Sequence, residues 1–382
     1  MSIGELRFDG QVAVITGAGG GLGRQYALLL ASRGARVVVN DIGGSVTGIG
    51  SDTAAAGAVV DEIREAGGDA VADTHSVTSP EDAQSIIDTA VHTWGRLDIL
   101  INNAGIVGDA PFEDMTADRL DPLLDVHLKG AFNVTRPAWT VMRERRYGRI
   151  VNTCSAAGIL GAERMSNYGA AKTGLIGFTR VLAAEGVAQD IKVNAIAPIA
   201  YTRMLAHSVD DAGRPDDAAA QAVFDDLVGQ YLQKLDPALV APVAAFLAHR
   251  DCPVSGEIYT VGAGHVARFF IGRTKGFFSP GLSVEDVRDH LDEIRDEAGY
   301  TVPRGPADEM TELFAAVMSP PGEASCGVET LAPDQKNDGN GGAGHQGDQQ
   351  GLERIDGEPA GLIRTSGADA FEAQARCRRP GL

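Results

Sequence analysis

Short apolar runs rich in valine and isoleucine recur along this chain, separated by longer segments whose apolar residues fall at helical spacing, and that alternation leaves few folds open. VAVIT (12–16), RVVVN (36–40), AVAD (70–73), LDILIN (97–102), RIVNT (149–153), IKVNAI (191–196) and EIYTV (257–261) read as buried strands. Between them, 21–33, 81–94, 117–143 and 167–186 carry leucine, alanine, valine and isoleucine three and four apart, as helices covering a sheet do. Strand, crossover helix and parallel strand repeated in this way predict an α/β fold: a doubly wound, Rossmann-like parallel sheet with helices on both faces. Pro122 and Pro137 fall inside 117–143 and predict a kink or a break there.

The last third of the chain differs. After Gly264 further helical material includes SVEDVRDHLDEIRDE (283–297), with Ser283 placed to cap and carboxylates in the first turn. Beyond Pro320 the composition shifts to glycine, aspartate, glutamine and asparagine around KNDGNGGAGHQGDQQG, with too little apolar surface to offset the entropy of ordering. The expected division is a sheet domain over 1–264, a helical extension over 265–319 and a disordered tail over 320–382.

Composition narrows the partners. With 382 residues, 44% of them hydrophobic, the chain can bury a large core. Its formal net charge of -19 sets a field that repels phosphate backbones and anionic membranes, which points to a small-molecule substrate and away from nucleic acid. The sequence has no run of about 18 apolar residues, so membrane insertion is not expected. Cys154, Cys252, Cys326 and Cys377 show neither CxxC nor histidine-paired spacing, so neither a metal site nor a disulfide framework is expected. The start, MSIGELRFDG, lacks the basic and apolar regions of a leader, and the end, RRPGL, is not a peroxisomal SKL address. With reduced thiols, these features lead to the expectation of a cytoplasmic location.

TGAGGGLG (16–23) comes directly after the first strand and opens a helix. Gly17, Gly21 and Gly23 permit a tight turn, a close approach of backbone N–H groups to a pyrophosphate, and close packing of helix on strand. The second strand ends in Asn40-Asp41, where a carboxylate meets the ribose hydroxyls of an adenosine and repels a 2′-phosphate, favouring NAD over NADP. NNAG (102–105) ends the fourth strand, where Asn102 and Asn103 can lock neighbouring strands and Gly105 leaves room for the nicotinamide-side ribose. Ser155 falls just after the fifth strand, thirteen residues before Tyr168, and SNYGAAK puts Lys172 one helical turn beyond that phenol. Serine, tyrosine and lysine therefore meet at one sheet edge.

The ordered set TGxxxGxG, NNAG, Ser and YxxxK resembles the short-chain dehydrogenase/reductase superfamily. RFDGQVAVITGAGGGLGRQYALLLASRGARVVVND, GRLDILINNAGI, VHLKGAFNVTRPAW and VGAG (261–264) are similar to one subfamily within it, the (3R)-hydroxyacyl-CoA dehydrogenase unit of peroxisomal multifunctional enzyme type 2, over roughly residues 5–300. The resemblance implies NAD held by Gly17, Gly21, Leu22, Gly23, Asp41, Asn103, Ala104, Gly105, Tyr168 and Lys172. It implies catalysis in which Ser155 holds the substrate oxygen, Tyr168 takes the hydroxyl proton with its pKa lowered by Lys172 and the positive nicotinamide of the cofactor, and a secondary alcohol becomes a ketone. VHLKG places His127 where most of the superfamily has asparagine; it is carried as a supporting catalytic residue beside the reading of a structural histidine at a helix kink. A 17β-hydroxysteroid dehydrogenase is the alternative activity, and a non-catalytic NAD-sensing protein a third. The resemblance further implies a homodimer or homotetramer through 117–143 and 167–186, and a substrate lid over 199–235. Arg143, Arg145, Arg146 and Arg149 precede the fifth strand and are expected on solvated surface; Arg164, Arg203, Arg268, Arg273 and Lys275 are the candidate contacts for the phosphates of CoA.

Overall fold

Seven parallel strands form where the sequence places them: β1 (Val12–Thr16), β2 (Arg36–Asn40), β3 (Asp69–Asp73), β4 (Ile99–Asn102), β5 (Gly148–Thr153), β6 (Ile191–Pro198) and β7 (Ile258–Gly262). An eighth, β8 (His265–Phe269), lies beyond them at the sheet edge. The computed structural model describes residues 4–211, 229–230 and 232–318. The expected tail over 320–382 and much of the expected lid over 199–235 lie outside the described residues, as do Cys326 and Cys377, while Cys154 and Cys252 are buried free thiols. No helix among the described residues is long and apolar enough to cross a membrane.

The sheet runs β3-β2-β1-β4-β5-β6-β7-β8, and the strand order reverses between β1 and β4. At such a switch point the crossovers leave on opposite faces and open a crevice at the carboxyl ends of the strands. Alternation along β1 shows why the sheet is covered twice. Ala13 and Ile15 join Tyr26 and Leu30 of α1 (Gly21–Ser32) and Val59 and Ile63 of α2 (Ala54–Glu65). Val12 and Val14 join Ile86 and Ile87 of α3 (Pro80–Trp94) and Val134 and Met142 of α5 (Gly130–Arg145). Each of the valine, leucine, isoleucine and methionine side chains among them stabilises the fold by about 1.5–3 kcal/mol through burial. α3 carries its own boundaries: the Ser79 hydroxyl accepts from the Asp82 N–H at 3.1 Å, Pro80 begins the helix, and Gly95 ends it at φ 71°.

The segment over 117–143, expected to be helical with a kink or a break, is three pieces: α4 (Ala117–Leu123), a π turn over Leu124–Lys129, and α5. The break begins two residues after Pro122, and the widened turn carries His127 into the interior at 2% exposure. Pro137 stays within α5.

Two expectations are corrected. Arg149 is not on solvated surface but 1% exposed: its guanidinium donates to the carbonyls of Gly148 and Asp190 at 2.8 and 2.7 Å and to the Asp190 carboxylate at 3.2 Å. Those acceptors sit at the amino end of β5, opposite Ser155, and meet most of what a buried guanidinium requires. Residues 265–269, expected in a helical extension, are instead the strand β8, antiparallel to β7. Helices come after it at Val284–Asp289, Leu291–Arg295 and Pro306–Met318, the first closed by a capping box in which Ser283 and Asp286 bond each other's backbone N–H.

Candidate active site

The floor of the crevice is the glycine loop. Gly17 and Gly21 have φ 64° and 52°, and a Cβ on Gly17 would stand 2.8 Å from the Ala104 Cα. A Cβ on Gly23 would stand 2.3 Å from the Gly17 carbonyl oxygen, so α1 can start this close to β1 only without side chains. Asn103 ties the loop to β4 by donating to the Thr16 and Gly17 carbonyls, both at 3.0 Å. Asp41 is held from two sides: Gly19 N–H donates to Oδ2 at 2.8 Å and Gly43 N–H to Oδ1 at 2.7 Å, which keeps its negative charge fixed at the end of β2.

Gly17, Gly21, Asp41 and Asn103 line a cavity of about 600 Å³ that also includes Gly20, Leu22, Gly105, the turn over 44–49, residues 75–78 and Thr202–Met204. The turn after β2, which sequence reasoning did not single out, is pinned over the cavity by the Val107 N–H donating to the Val46 carbonyl at 2.8 Å. A glycine floor that side chains would fill, an uncapped helix start at Gly20 and a carboxylate at one end suit an extended dinucleotide.

The expected triad comes from two neighbouring elements. Ser155 caps the short helix α6 (Ala156–Leu160), accepting from the Ala157 N–H at 3.1 Å, and its side chain hydrogen-bonds Tyr168. Tyr168 and Lys172 lie one turn apart on α7 (Ser166–Gly186), with the ammonium nitrogen 5.4 Å from the phenol ring centroid. Lys172, 3% exposed, donates to the Thr153 carbonyl at 2.7 Å. In the chain alone burial pushes the Tyr168 hydroxyl up to about 12, against which the Ser155 hydrogen bond acts the other way, so the expected lowering calls on the positive nicotinamide as well as on Lys172. Burial also pushes Lys172 down to about 8.

His127 packs edge-on to Tyr168, ring centroids 5.2 Å apart, and its Nε2 lies 3.1 Å from the Ile106 N–H and 2.8 Å from the Ile106 carbonyl. Burial and the nearby Lys172 hold its pKa well below the usual histidine value, so the ring is neutral. The space a side chain would take at Gly105 is filled by this ring, since a Cβ there would stand 2.4 Å from His127 Cε1; Gly105 thus makes room first for the histidine. A second cavity, about 10 Å³, lies between His127, Lys172, Asn102, Thr153 and Thr16. Asn102 Oδ1, His127 Nδ1 and Thr153 Oγ1, all without a partner among the described residues, belong to its lining and suit a single water.

Sequence reasoning missed Asn152 and Thr179. Asn102 donates to Asn152 at 2.8 Å and to Thr135 at 2.9 Å, and Asn152 donates to Thr179 at 2.9 Å, which fixes the ends of β4 and β5 against α5 and α7. Their only signal was polar residues inside otherwise apolar strand and helix patterns. Of the candidate CoA contacts, Arg203 lines the large cavity, Arg268 pairs with Glu257 at 2.7 Å, Arg273 pairs with Glu309 at 2.7 Å, Arg164 sits at φ 64° with its carbonyl accepting from Ala110 N–H at 2.9 Å, and Lys275 is exposed.

A doubly wound sheet with a dinucleotide cavity at its switch point defines a nicotinamide-dinucleotide oxidoreductase acting on CH–OH donors. The family described as short chain dehydrogenase matches residues 11–212, and the chain belongs to that family. It is 40% identical over 318 residues to peroxisomal multifunctional enzyme A of Dictyostelium discoideum, covering 83% of this chain and 67% of that protein. It is 43% identical to a putative short-chain type dehydrogenase/reductase of Mycobacterium tuberculosis over 76% of this chain and 96% of that one. The solved structure of full-length peroxisomal multifunctional enzyme type 2 from Drosophila melanogaster superposes with a TM-score of 0.64 at 35% identity, over 82% of this chain and 50% of that chain. The chain thus spans only part of the multifunctional relatives it matches. These relatives overturn the expected cytoplasmic location and point to the peroxisome. The expectation rested on thiols and terminal residues, and reduced thiols do not distinguish the two compartments.

Proposed function

We propose that this chain oxidises (3R)-3-hydroxyacyl-CoA thioesters to 3-ketoacyl-CoA with NAD, in the breakdown of fatty-acid or steroid side chains. The observation that carries the reading is the meeting of the Ser155 and Tyr168 hydroxyls with a buried Lys172 at the edge of the sheet where Asp41 closes the dinucleotide cavity. The acyl-CoA substrate is supported by the likeness to the multifunctional enzymes, whose dehydrogenase unit the sequence resembles.

When bound, the oxidised dinucleotide supplies the hydride acceptor and a positive charge. Gly21, Leu22 and Gly23 would hold its phosphates by backbone contact, Gly17 would leave room for it by lacking a side chain, and Asp41 would accept from the adenosine ribose. Because both Asp41 oxygens are tethered by amides, the carboxylate cannot swing away, and it repels a 2′-phosphate; NAD is preferred for that reason. Ser155 orients the substrate hydroxyl. Tyr168 removes its proton, a task for which a phenol at about 12 needs added positive charge, and Lys172 holds the site cationic. Neutral His127 keeps the loop after β4 in place through Ile106 and presents Nδ1 to the small cavity behind Lys172. Homodimers or tetramers through α5 and α7 are supported by Phe132 and Val181, exposed at 54% and 57% on those helices.

The test is NADH formation by the purified chain across 3-hydroxyacyl-CoAs of both configurations and free hydroxysteroids, with NAD and NADP in parallel. Turnover of the (3R) thioesters with NAD is expected to exceed every other combination. Faster turnover of a free hydroxysteroid would transfer the assignment to 17β-hydroxysteroid dehydrogenase, and preference for NADP would refute the role given to Asp41.

A further inference from the structure

Arg203 stands where the chain leaves β6, at the start of the helix Arg203–Asp211, and it lines the dinucleotide cavity on the side facing the glycine loop. Its Nη2 lies 3.5 Å from the position that a Cβ on Gly20 would occupy, and the methyl carbon of Thr202 lies 3.5 Å from the corresponding position on Gly21. The Thr202-Arg203 pair therefore rests against the turn that starts α1. Arg203 is exposed and has no hydrogen bond or ion pair among the described residues, whereas Arg268 and Arg273, which antiparallel β8 carries back toward the amino ends of the strands, are taken by Glu257 and Glu309.

The glycine loop itself gives this unpaired cation a purpose. The Ala18 N–H is spent on the Asn40 carbonyl at 2.9 Å and the Gly19 N–H on Asp41 at 2.8 Å, so only the turn from Gly20 onward is left to receive phosphate oxygens. That turn lies beside the Asp41 carboxylate, in a chain of net charge -19, where a doubly charged pyrophosphate is repelled unless a cation is supplied. No side chain caps α1, so its first amides are free for the pyrophosphate, but a helix start supplies only about half a positive charge against two negative ones.

We propose that Arg203 is a positioning residue that clamps the pyrophosphate of the dinucleotide onto the glycine loop from the opposite wall, and that it is not a contact for the phosphates of an acyl-CoA substrate. The inference rests on the dinucleotide reading of the cavity. Arginine suits the place because its planar fork can bridge oxygens of both phosphates, which a lysine point charge cannot.

The experiment compares the full chain with Arg203→Ala and Arg203→Lys by NADH fluorescence titration, by competition with ADP-ribose and with adenosine, and by the KM for a 3-hydroxyacyl-CoA at saturating NAD. Arg203→Ala is expected to raise the Kd for NADH and for ADP-ribose about tenfold, or ~1.4 kcal/mol, and to flatten its salt dependence. Adenosine, which has no phosphate, is expected to bind both forms alike, Arg203→Lys to recover part of the loss, and the acyl-CoA KM to stay within about twofold. Unchanged affinity for NADH and ADP-ribose in Arg203→Ala overturns the clamp, and a raised acyl-CoA KM in the same variant would hand the residue to the substrate. Equal weakening of adenosine also overturns it, since the cavity would then have changed shape. Failure of the unaltered chain to bind NADH would sink the dinucleotide reading as well, and is seen before any variant is made.

Discussion

At Lys172 and Tyr168 one cause, burial, acts on an ammonium and a phenol, and it moves their pKa values apart. Lys172 falls from 10.5 to about 8, so between those values the unfolded chain binds a proton that the folded chain has released, and stability rises with pH across that window. Tyr168 rises from 10.0 to about 12; the stability of its buried neutral hydroxyl is present below pH 10 and lost as pH climbs toward 12. Lys172→Met should therefore remove the gain between pH 8 and 10.5, seen as a flatter profile of urea-unfolding free energy against pH than that of the unaltered chain. A gain of the same size in both would show that the amine is not desolvated. For Tyr168→Phe the ring remains and the proton carrier goes: NADH affinity should hold while kcat falls about 10²–10⁴-fold. The triad was legible because Ser155 marks a strand end and Tyr168 and Lys172 share a helical turn, both of which are local patterns. The burial that raises the tyrosine in the chain alone was not, because desolvation comes from residues distant in sequence that close around α7.

Between elements, the polar links hidden in the sheet decide how firmly the catalytic helix is seated. Asn152, fully buried, accepts from Asn102 of β4 and donates to Thr179 of α7, so one side chain joins two strands and a helix. Asn152→Ala leaves a buried amide hydrogen and a buried hydroxyl short of partners, at a cost of ~3 kcal/mol, whereas Gln84→Ala on the exposed face of α3 should cost under ~0.5 kcal/mol. Equilibrium urea unfolding distinguishes them, and equal midpoints would refute the link. The strands and most helices could be read from periodicity because burial on one or two faces imposes it on the residues themselves. β8 could not, since its apolar and polar residues signal an edge strand only when β7 is alongside. A break near Pro122 and a histidine at a kink could be read, but the π form of that turn and the pocket that buries Arg149 were equally hidden. In both, a polar side chain goes inside because distant partners exist: the Ile106 backbone for one, the Asp190 carbonyl and carboxylate for the other.

For the molecule as a whole, the question is how much of the chain the proposed chemistry needs. All eight strands, the principal core clusters and every residue of the proposed site fall within the unit Met1–Pro321. The sequence beyond Pro321 is rich in glycine, glutamine and aspartate, and its composition supplies too little apolar surface to form a core. On that reading of composition, residues beyond 321 are expected to contribute neither burial to the sheet domain nor a group to the site, and their removal to change only the hydrodynamic size. A chain ending at Pro321 is expected to keep the melting temperature, the NADH affinity and the kcat and KM of the full chain. Calorimetry and steady-state kinetics on the two forms check it side by side. A fall of several degrees in melting temperature would mean that the tail buries apolar surface on the domain, and a rise in KM at unchanged melting temperature would mean that it reaches the substrate.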